Sequence, residues 1–324
     1  MTMTAEQAAQ FADVFNRMVT GVEQVLLGKH HVIRMSFTAL LSGGHLLLED
    51  VPGTGKTSLA RAIAQSVRST SSRVQFTPDL LPGDITGVSI YDQRSGAFEF
   101  HRGPIFANIV LADEINRASP KTQAALLEVM EEGQITADGV THPVAAPFMV
   151  IATQNPIEQA GTYRLPEAQL DRFLIKTSIG YPDLLATEAI LSDVNTRDRS
   201  RLVREMITTE AVADMADLVA GVHIDPAVLR YTAQMAEETR SDPSSRVGVS
   251  VRGTMAILRA AKVWAATEGR TFVLPDDVKA LALPVWHHRI VLDPEAEFRG
   301  ATGDSVVSRV LADIAAPQAR QPVA

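Results

Sequence analysis

The chain has 324 residues, of which 46% are hydrophobic and 21% charged, as in an ordinary globular protein with a substantial core. It contains no cysteine, which excludes disulfides, thiolate nucleophiles and cysteine-based zinc sites. The net charge is −8 with both signs interleaved, whereas a protein that grips nucleic acid usually carries a basic excess on one face. The first residues do not resemble a signal peptide, and no apolar run reaches the roughly 18 residues of a membrane helix, so a cytoplasmic location is expected.

The first half of the chain alternates short apolar segments with helical ones. Helices are predicted at 56–67, where apolar residues recur every fourth position, and at 122–132, where Gly133 follows as a C-terminal cap. Continuous apolar runs are typical of strands buried on both faces. The alternation predicts an α/β fold with a parallel sheet flanked by helices. Its strands are expected at 45–49, 73–77, 106–111 and 148–153.

Two segments interrupt this alternation, and their patterns predict antiparallel hairpins. The first, at about 88–102, alternates around a turn at 92–96. The second, at about 134–146, turns at Asp138-Gly139, a dipeptide favoured in tight hairpin turns. Decoration of the sheet surface is the simplest interpretation of both.

The pattern changes after about residue 181, where strand signals nearly vanish. Polar and charged residues dominate at 193–201, so a domain boundary is expected near 181–200. The chain is therefore predicted to form an α/β core at 1–185 and a small all-α domain at 186–324, with a frayed tail from about 317. Four segments of the second domain carry helical spacing: 209–222, 226–240, 251–268 and 275–283.

The sequence VPGTGKT at 51–57 lies between a predicted strand and a predicted helix, which is the setting of a phosphate-binding loop. Lys56 would reach the β- and γ-phosphates of ATP, and the Thr57 hydroxyl would bind Mg²⁺. The generic pattern has glycine at position 50, where this chain has Asp50. The motif alone is therefore a weak signal, and the flanking strand and helix are the stronger support for the prediction. The predicted nucleotide-binding cradle, in which successive backbone N–H groups outside proline point into one concavity, comprises Asp50, Val51, Pro52, Gly53, Thr54, Gly55, Lys56, Thr57 and Ser58.

The run IVLADE at 109–114 is an apolar strand that ends in two carboxylates. In a parallel sheet these would lie at the carboxyl edge, where ligands bind. Asp113 is predicted to orient Mg²⁺, and Glu114 to polarise the water that attacks the γ-phosphate. A strand that merely ends in two solvated acids fits this run alone, but not its combination with a phosphate loop.

Several sequence blocks in the same order resemble the AAA+ ATPases, and within them closely the MoxR family. The resemblance covers about residues 28–290, and Asp50 is typical of that family. It implies a P-loop core followed by a small helical lid, with ATP between them at the edge of a hexameric ring. The blocks are LEDVPGTGKT at 48–57, FTPDLLPGDITG at 76–87, LADEINR at 111–117, ATQNP at 152–156, LPEAQLDRF at 165–173, VRG at 251–253, LPDDV at 274–278 and PVWHHR at 284–289.

The same resemblance assigns sensor roles to two residues. Asn155 corresponds to a sensor that bonds to the attacking water or the γ-phosphate, and the alternative is an asparagine in a turn before proline. Arg252 resembles the second sensor, which contacts the nucleotide from the lid, and the alternative is an arginine on a helix surface.

Arg172 corresponds to the arginine finger, which enters the site of the neighbouring subunit. An arginine suits that role because its planar fork neutralises charge spread over a phosphoryl group. An ion pair within the chain, to Asp171 or Glu167, is the alternative. Arg117 is a further candidate at such an interface, and Arg164 is expected to be simply exposed.

The resemblance implies a chaperone that uses Mg²⁺ and ATP hydrolysis to remodel or mature partner proteins, often proteins with a von Willebrand factor A domain. The predicted hairpin at 134–142 contains no Lys or Arg, which argues against a DNA motor, as the acidic net charge does. Two alternatives stay open: a nucleic-acid translocase, whose ATPase would be stimulated by DNA, and a nucleotide-dependent scaffold without turnover.

Overall fold

The computed structural model describes residues 2–51, 53–155, 163–192 and 202–317. The chain divides into two compact units, one of Phe15–Met215 and one of Met1–Val14 with Ala216–Ala324. The first unit therefore contains the described residues between 186 and 215, which the sequence analysis assigns to the second domain.

The strands are β1 (Leu46–Glu49), β2 (Ser71–Gln75), β3 (Gly87–Asp92), β4 (Ala97–Arg102), β5 (Ile109–Asp113), β6 (Gln134–Ala137), β7 (Val140–Pro143), β8 (Met149–Gln154), β9 (Ile175–Thr177), β10 (Ser245–Val247) and β11 (Val291–Leu292). The α-helices are α1 (Ala5–Glu23), α2 (His30–Leu41), α3 (Lys56–Ser66), α4 (Pro82–Thr86), α5 (Pro120–Glu132), α6 (Glu167–Leu170), α7 (Leu184–Ser192), α8 (Thr209–Ala220), α9 (Pro226–Ser241), α10 (Val251–Thr267), α11 (Pro275–Trp286), α12 (Pro294–Phe298) and α13 (Gly303–Asp313).

A five-stranded sheet forms the centre of the first unit, in the order β2-β5-β8-β1-β9. All four strand pairs are parallel, which confirms the predicted fold class. β5 is buried along its whole length, and β1 and β8 are buried except at their last residues, because their continuous apolar sequences cover both faces of the sheet. Gly133 ends α5 in the left-handed region, with φ at 64°, as predicted for a C-terminal cap.

An antiparallel hairpin surrounds each of the two turns named in the sequence analysis, β3 with β4 and β6 with β7. Phe100 of the first hairpin stacks on His142 of the second, with ring centroids 4.2 Å apart. Phe100 also packs edge-on against Phe106. Near the tip of the first hairpin, Tyr91 and Phe98 pack against each other and remain 53% and 71% exposed.

The second unit contains the helices α9, α10, α11, α12 and α13. The buried Trp286 of α11 donates its indole N–H to the carbonyl of Gly253 in α10 at 3.0 Å, which ties these two helices together. Arg309 of α13 forms a bidentate ion pair with Asp242, which follows α9: its Nε donates to Oδ2 at 3.1 Å and its Nη2 donates to Oδ1 at 2.9 Å. Strand structure does not vanish here, because β10 and β11 form a short antiparallel pair that is too brief to leave a pattern in the sequence.

Two N-terminal helices, α1 and α2, were not assigned from the sequence. The available signal in α1 was the spacing of apolar residues that the structure buries, namely Ala8, Phe11, Phe15, Met18 and Val22. None of the helices within the described ranges combines the length and apolar character that crossing a membrane requires.

His45 is a buried imidazole beside the amino end of β1. Its Nε2–H donates to the carbonyl of Met130 at 3.0 Å, because Nδ1 already accepts the N–H of Val150 at 3.0 Å. Burial lowers the pKa of His45 from 6.5 to about 4, and the hydrogen bond to Met130 opposes this shift only in part. Protonation would therefore cost the Val150 bond and bury a charge.

Acidification should destabilise the protein through His45. The imidazole pKa is lower in the folded than in the unfolded chain, so unfolded chains bind more protons and this contribution is lost as pH falls from 6.5 towards 4. The loss should reach about 3 kcal/mol, at 1.36 kcal/mol for each pKa unit. Urea unfolding across this pH range should show a shallower pH dependence for His45→Asn than for wild type. The exposed His101→Asn is the matched control, and equal slopes for wild type and His45→Asn would contradict the assignment.

Candidate functional site

The loop after β1 is shaped by two glycines. Gly53 and Gly55 have φ of 85° and 96°, a region that other residues rarely adopt. A Cβ at Gly53 would meet no atom within 4 Å, so the dihedral angle, rather than space, requires glycine there. Gly55 is the N-cap of α3, which begins at Lys56. The turn therefore presents a helix N-terminus, whose N–H groups suit an anion.

Lys56 lies largely buried in this loop. Its ammonium group donates to the carbonyls of Asp50 at 2.9 Å and Val51 at 3.2 Å. An ammonium has three N–H donors, so a further donor is available beyond these two bonds. The loop thus holds a positive charge beside the N-terminus of α3.

Asp50 holds the loop rather than lining it with its side chain. The carboxylate, in a residue only 7% exposed, accepts the N–H groups of Ile179 at 2.6 Å and Gly180 at 2.9 Å, in the segment after β9. Its other oxygen accepts the N–H of Val51 at 3.1 Å. Only the backbone of Asp50 can therefore contribute to the predicted cradle. The cradle residue Pro52 lies outside the described residues.

Asp113 and Glu114 lie at the carboxyl end of β5, and one threonine positions both. Glu114 has left-handed backbone, with φ at 57°, and its N–H donates to Thr153 Oγ1 at 2.8 Å. The same hydroxyl donates to Asp113 Oδ1 at 2.7 Å. Thr153 is fully buried in β8. This role of Thr153 was not predicted from the sequence, where the available signal was its place two residues before Asn155.

Both acids have further partners. Asp113 Oδ2 accepts an N–H of the Arg73 guanidinium at 2.6 Å. Glu114 Oε2 accepts Gln75 Nε2 at 2.9 Å and Arg117 Nη1 at 3.0 Å. Each carboxylate therefore has its own cation, Arg73 of β2 for Asp113 and Arg117 for Glu114.

Asn155 follows β8, which lies between β1 and β5 in the sheet. It is 4% exposed. The N–H of Asp50 donates to the carbonyl of Gln154 at 3.1 Å, so the chain entering the glycine loop runs beside the chain entering Asn155. The glycine loop, Asn155 and the pair Asp113–Glu114 thus leave three neighbouring strands at one edge of the sheet.

Two cavities lie beside α3, and one of them borders the glycine loop. One, of about 250 Å³, has the loop and Ser58 on one wall. Its other walls are largely apolar, formed by Val25, Leu26 and Leu27 of the turn before α2, and by Pro182 and Ile190. The second, of about 200 Å³, is lined by Thr57 and Arg73 among others. The first cavity could not be predicted from the sequence, because its walls come from segments far apart in the chain.

Arg172 lies away from the glycine loop. It precedes β9, which pairs with β1 so that Ile175 lies opposite Leu46. The N–H of Leu174 donates to the carbonyl of His45. This is the amino edge of the sheet, opposite the loop. Arg172 pairs with Glu131 of α5 at 2.9 Å, whereas the sequence analysis had considered Asp171 or Glu167 as partners within the chain.

The remaining candidate arginines are dispersed. Arg164 is exposed, as predicted. Arg117 is bound to Glu114, as described above. Arg252 belongs to the second unit, where it is an exposed residue in the first turn of α10, after the N-cap Ser250. Next to it, Gly253 is needed because a Cβ there would lie 2.8 Å from the Arg289 side chain.

Comparisons with known proteins agree with this architecture. Residues 45–175 match the model of the ATPase family associated with various cellular activities (AAA), and residues 237–310 match the AAA lid domain. The chain is 45% identical to the YeaC protein of Bacillus subtilis (strain 168), over 96% of this chain and 97% of that one. It is 38% identical to the chaperone MoxR1 of Mycobacterium tuberculosis (strain ATCC 25618 / H37Rv), over 97% and 85% respectively.

Two further matches extend over most of the chain. The protein MoxR of Paracoccus denitrificans is 33% identical, over 91% of this chain and 94% of that one. A solved structure from Cytophaga hutchinsonii ATCC 33406 superposes with a TM-score of 0.90 at 34% identity, covering 97% of this chain and 98% of that one.

Replacing Thr153 with valine should destabilise the first unit by about 2–3 kcal/mol. The change keeps the shape but removes the hydroxyl, which leaves a buried N–H and a carboxylate oxygen without these partners. Thr153→Ser retains the hydroxyl and should keep most of the stability. Urea unfolding measures the difference. Wild-type stability in Thr153→Val, or a loss in Thr153→Ser as large as in Thr153→Val, would contradict the role given to the hydroxyl.

Proposed function

Because the chain belongs to the MoxR family of AAA+ ATPases, we propose that it hydrolyses ATP with Mg²⁺ and uses the energy to remodel or mature partner proteins. The observation that supports this best is the convergence of three strand ends at one sheet edge. They carry a glycine loop with a buried lysine, a buried asparagine and two carboxylates.

The proposed roles follow from the chemistry of each group. The backbone N–H groups of the glycine loop and Lys56 hold the phosphates, and Thr57 and Asp113 supply oxygen ligands of the kind that Mg²⁺ prefers. Glu114 orients the attacking water, and Asn155 assists it. When bound, Mg²⁺ would neutralise charge that develops on the phosphates during hydrolysis.

The nucleoside is assigned to the cavity of about 250 Å³ beside the glycine loop. Its apolar walls suit a flat heteroaromatic base, and phosphates bound by the loop would lie next to the N-terminus of α3. Lys29 also lines this cavity, and its ammonium group is held by the carbonyl of Tyr181 at 2.7 Å.

We assign Arg172 to the site of a neighbouring subunit in a homo-oligomer, most simply a hexameric ring. Within its own chain Arg172 lies at the sheet edge opposite the glycine loop, and an ion pair with Glu131 holds it there. On assembly it would exchange Glu131 for a phosphate of the neighbour. Arg252 is assigned to the second sensor, which contacts the nucleotide from the lid.

The proposed substrates of remodelling are proteins rather than nucleic acids. The hairpin of β6 and β7 carries no Lys or Arg, and Asp138 at its turn would repel a phosphate backbone. The neighbouring hairpin exposes Tyr91 and Phe98, which suit an apolar protein surface. A client or adaptor with a von Willebrand factor A domain is proposed on the family resemblance, as is a cytoplasmic location.

Lys56→Ala and Glu114→Gln should separate binding from hydrolysis. Loss of the ammonium group should weaken ATP binding about tenfold or more, because a charged hydrogen bond to phosphate is lost. Glu114→Gln should keep the affinity and lower turnover about 100-fold or more. Calorimetric titration with ATP and a phosphate-release assay measure both quantities. Lys121→Ala, on the exposed face of α5, is the control, and wild-type affinity in Lys56→Ala would refute the cradle.

Mixing two inactive variants should restore turnover if Arg172 acts between subunits. In mixed rings, an intact Glu114 from an Arg172→Ala subunit faces an intact Arg172 from a Glu114→Gln subunit. Turnover is measured at several ratios in subunits shown to co-assemble. The control mixes Arg172→Ala with the double variant, which offers no complete interface. Activity that stays at the level of this control at every ratio would place Arg172 in its own site or outside the reaction.

A further inference from the structure

Arg73 donates a hydrogen bond to an oxygen of Asp113, the carboxylate that the proposed function assigns to the metal site. Its Nη2 lies 2.6 Å from Asp113 Oδ2 and also donates to Gln75 Oε1 at 2.9 Å. The Arg73 side chain is 49% exposed, whereas the Asp113 side chain is 12% exposed. A half-exposed cation is therefore paired with an anion that is almost buried.

The strand register explains why Arg73 reaches Asp113. In the parallel pair of β2 and β5, Gln75 lies opposite Asp113 and Arg73 lies opposite Leu111. Side chains two residues apart on a strand share a face, so Arg73, Gln75 and Asp113 project to the same side of the sheet. On that side, Arg73 and Thr57 line the same cavity of about 200 Å³, together with Arg61 of α3.

The oxygens of Asp113 are thereby divided between two partners. Thr153 donates to Oδ1, and Arg73 donates to Oδ2. The Thr153 hydroxyl is buried and also accepts the N–H of Glu114, so it is fixed. Oδ2 is the oxygen that a metal ion, or a water in its shell, can take over. A guanidinium stays charged at any ordinary pH, so Arg73 must move away rather than lose its proton.

We propose that Arg73 is a displaceable counter-ion for Asp113 and that it sets the Mg²⁺ concentration at which nucleotide binds. Without metal it compensates the charge of a nearly buried carboxylate, which would otherwise be costly. On binding, Mg²⁺ competes with it for Oδ2 and is also repelled by it. Arg73 is thus a positioning residue whose removal should make metal binding easier, and this inference rests on the proposed role of Asp113.

The experiment measures binding of a fluorescent ATP analogue, mant-ATP, by anisotropy as free Mg²⁺ is varied. Arg73→Gln should lower the Mg²⁺ midpoint about three- to tenfold, the range expected for losing a competing ion pair that is half exposed. Arg73→Lys keeps a charge and should return the midpoint towards wild type. Arg61→Gln removes a charge from the same cavity and should shift it less than about twofold. Thermal unfolding establishes that each variant is folded.

The outcomes separate this inference from the proposed function. An unchanged or higher Mg²⁺ midpoint in folded Arg73→Gln would overturn it. Weaker mant-ATP binding by that variant in EDTA would also overturn it, because Arg73 would then be a phosphate ligand. Asp113→Asn tests the function itself. If Asp113→Asn raises the Mg²⁺ midpoint while Arg73→Gln leaves it unchanged, the counter-ion role of Arg73 is refuted and the proposed function stands. If Asp113→Asn has no effect on the midpoint, the proposed metal-binding role of Asp113 is refuted.

Discussion

The parallel pairing of β5, β8 and β1 is the constraint on which the rest of the site depends. Neighbouring strands lie about 4.8 Å apart, so loops that leave three adjacent strands begin within about 10 Å of one another. The glycine loop, the two acids and Asn155 are far apart in sequence, yet they start from this one edge. Parallel direction matters as much as proximity, because an antiparallel neighbour would send its loop to the opposite edge.

The loops at this edge are held from behind by buried polar groups. Asp50 binds the glycine loop to the segment after β9, and Thr153 fixes the backbone of Glu114 in a left-handed conformation. Each group satisfies N–H donors that the loops leave unpaired, and such donors are costly to bury otherwise. The faces offered to a ligand are therefore set by residues that do not themselves face it. The backbone of these loops is therefore preorganised, which lowers the ordering cost of binding.

Sequence reasoning predicted the features that depend on local patterns. The apolar run before Asp113 predicted a buried strand, and the dipeptide Asp138-Gly139 predicted a hairpin turn. It could not predict partners that depend on register between distant strands. Arg73 meets Asp113 across 40 residues, and the carboxylate of Asp50 finds its amides across 129 and 130 residues. The direction of the Asp50 side chain is likewise set by tertiary structure. The motif predicted Asp50 as a nucleotide-binding residue, but its carboxylate binds the segment after β9 and so holds the loop in place.

The two edges of the sheet also separate the parts of the proposed reaction. β1 has four residues between His45 and the glycine loop, which is about 13 Å of extended chain. Arg172 lies on the far side of that distance, beside the amino end of β1 and paired with Glu131. A side chain of arginine length cannot cover this span around the edge of a packed sheet. If Arg172 contacts a phosphate, that phosphate must therefore be bound by a second subunit. Activity would then depend on assembly, because the parallel sheet keeps Arg172 and the glycine loop of one chain at opposite edges.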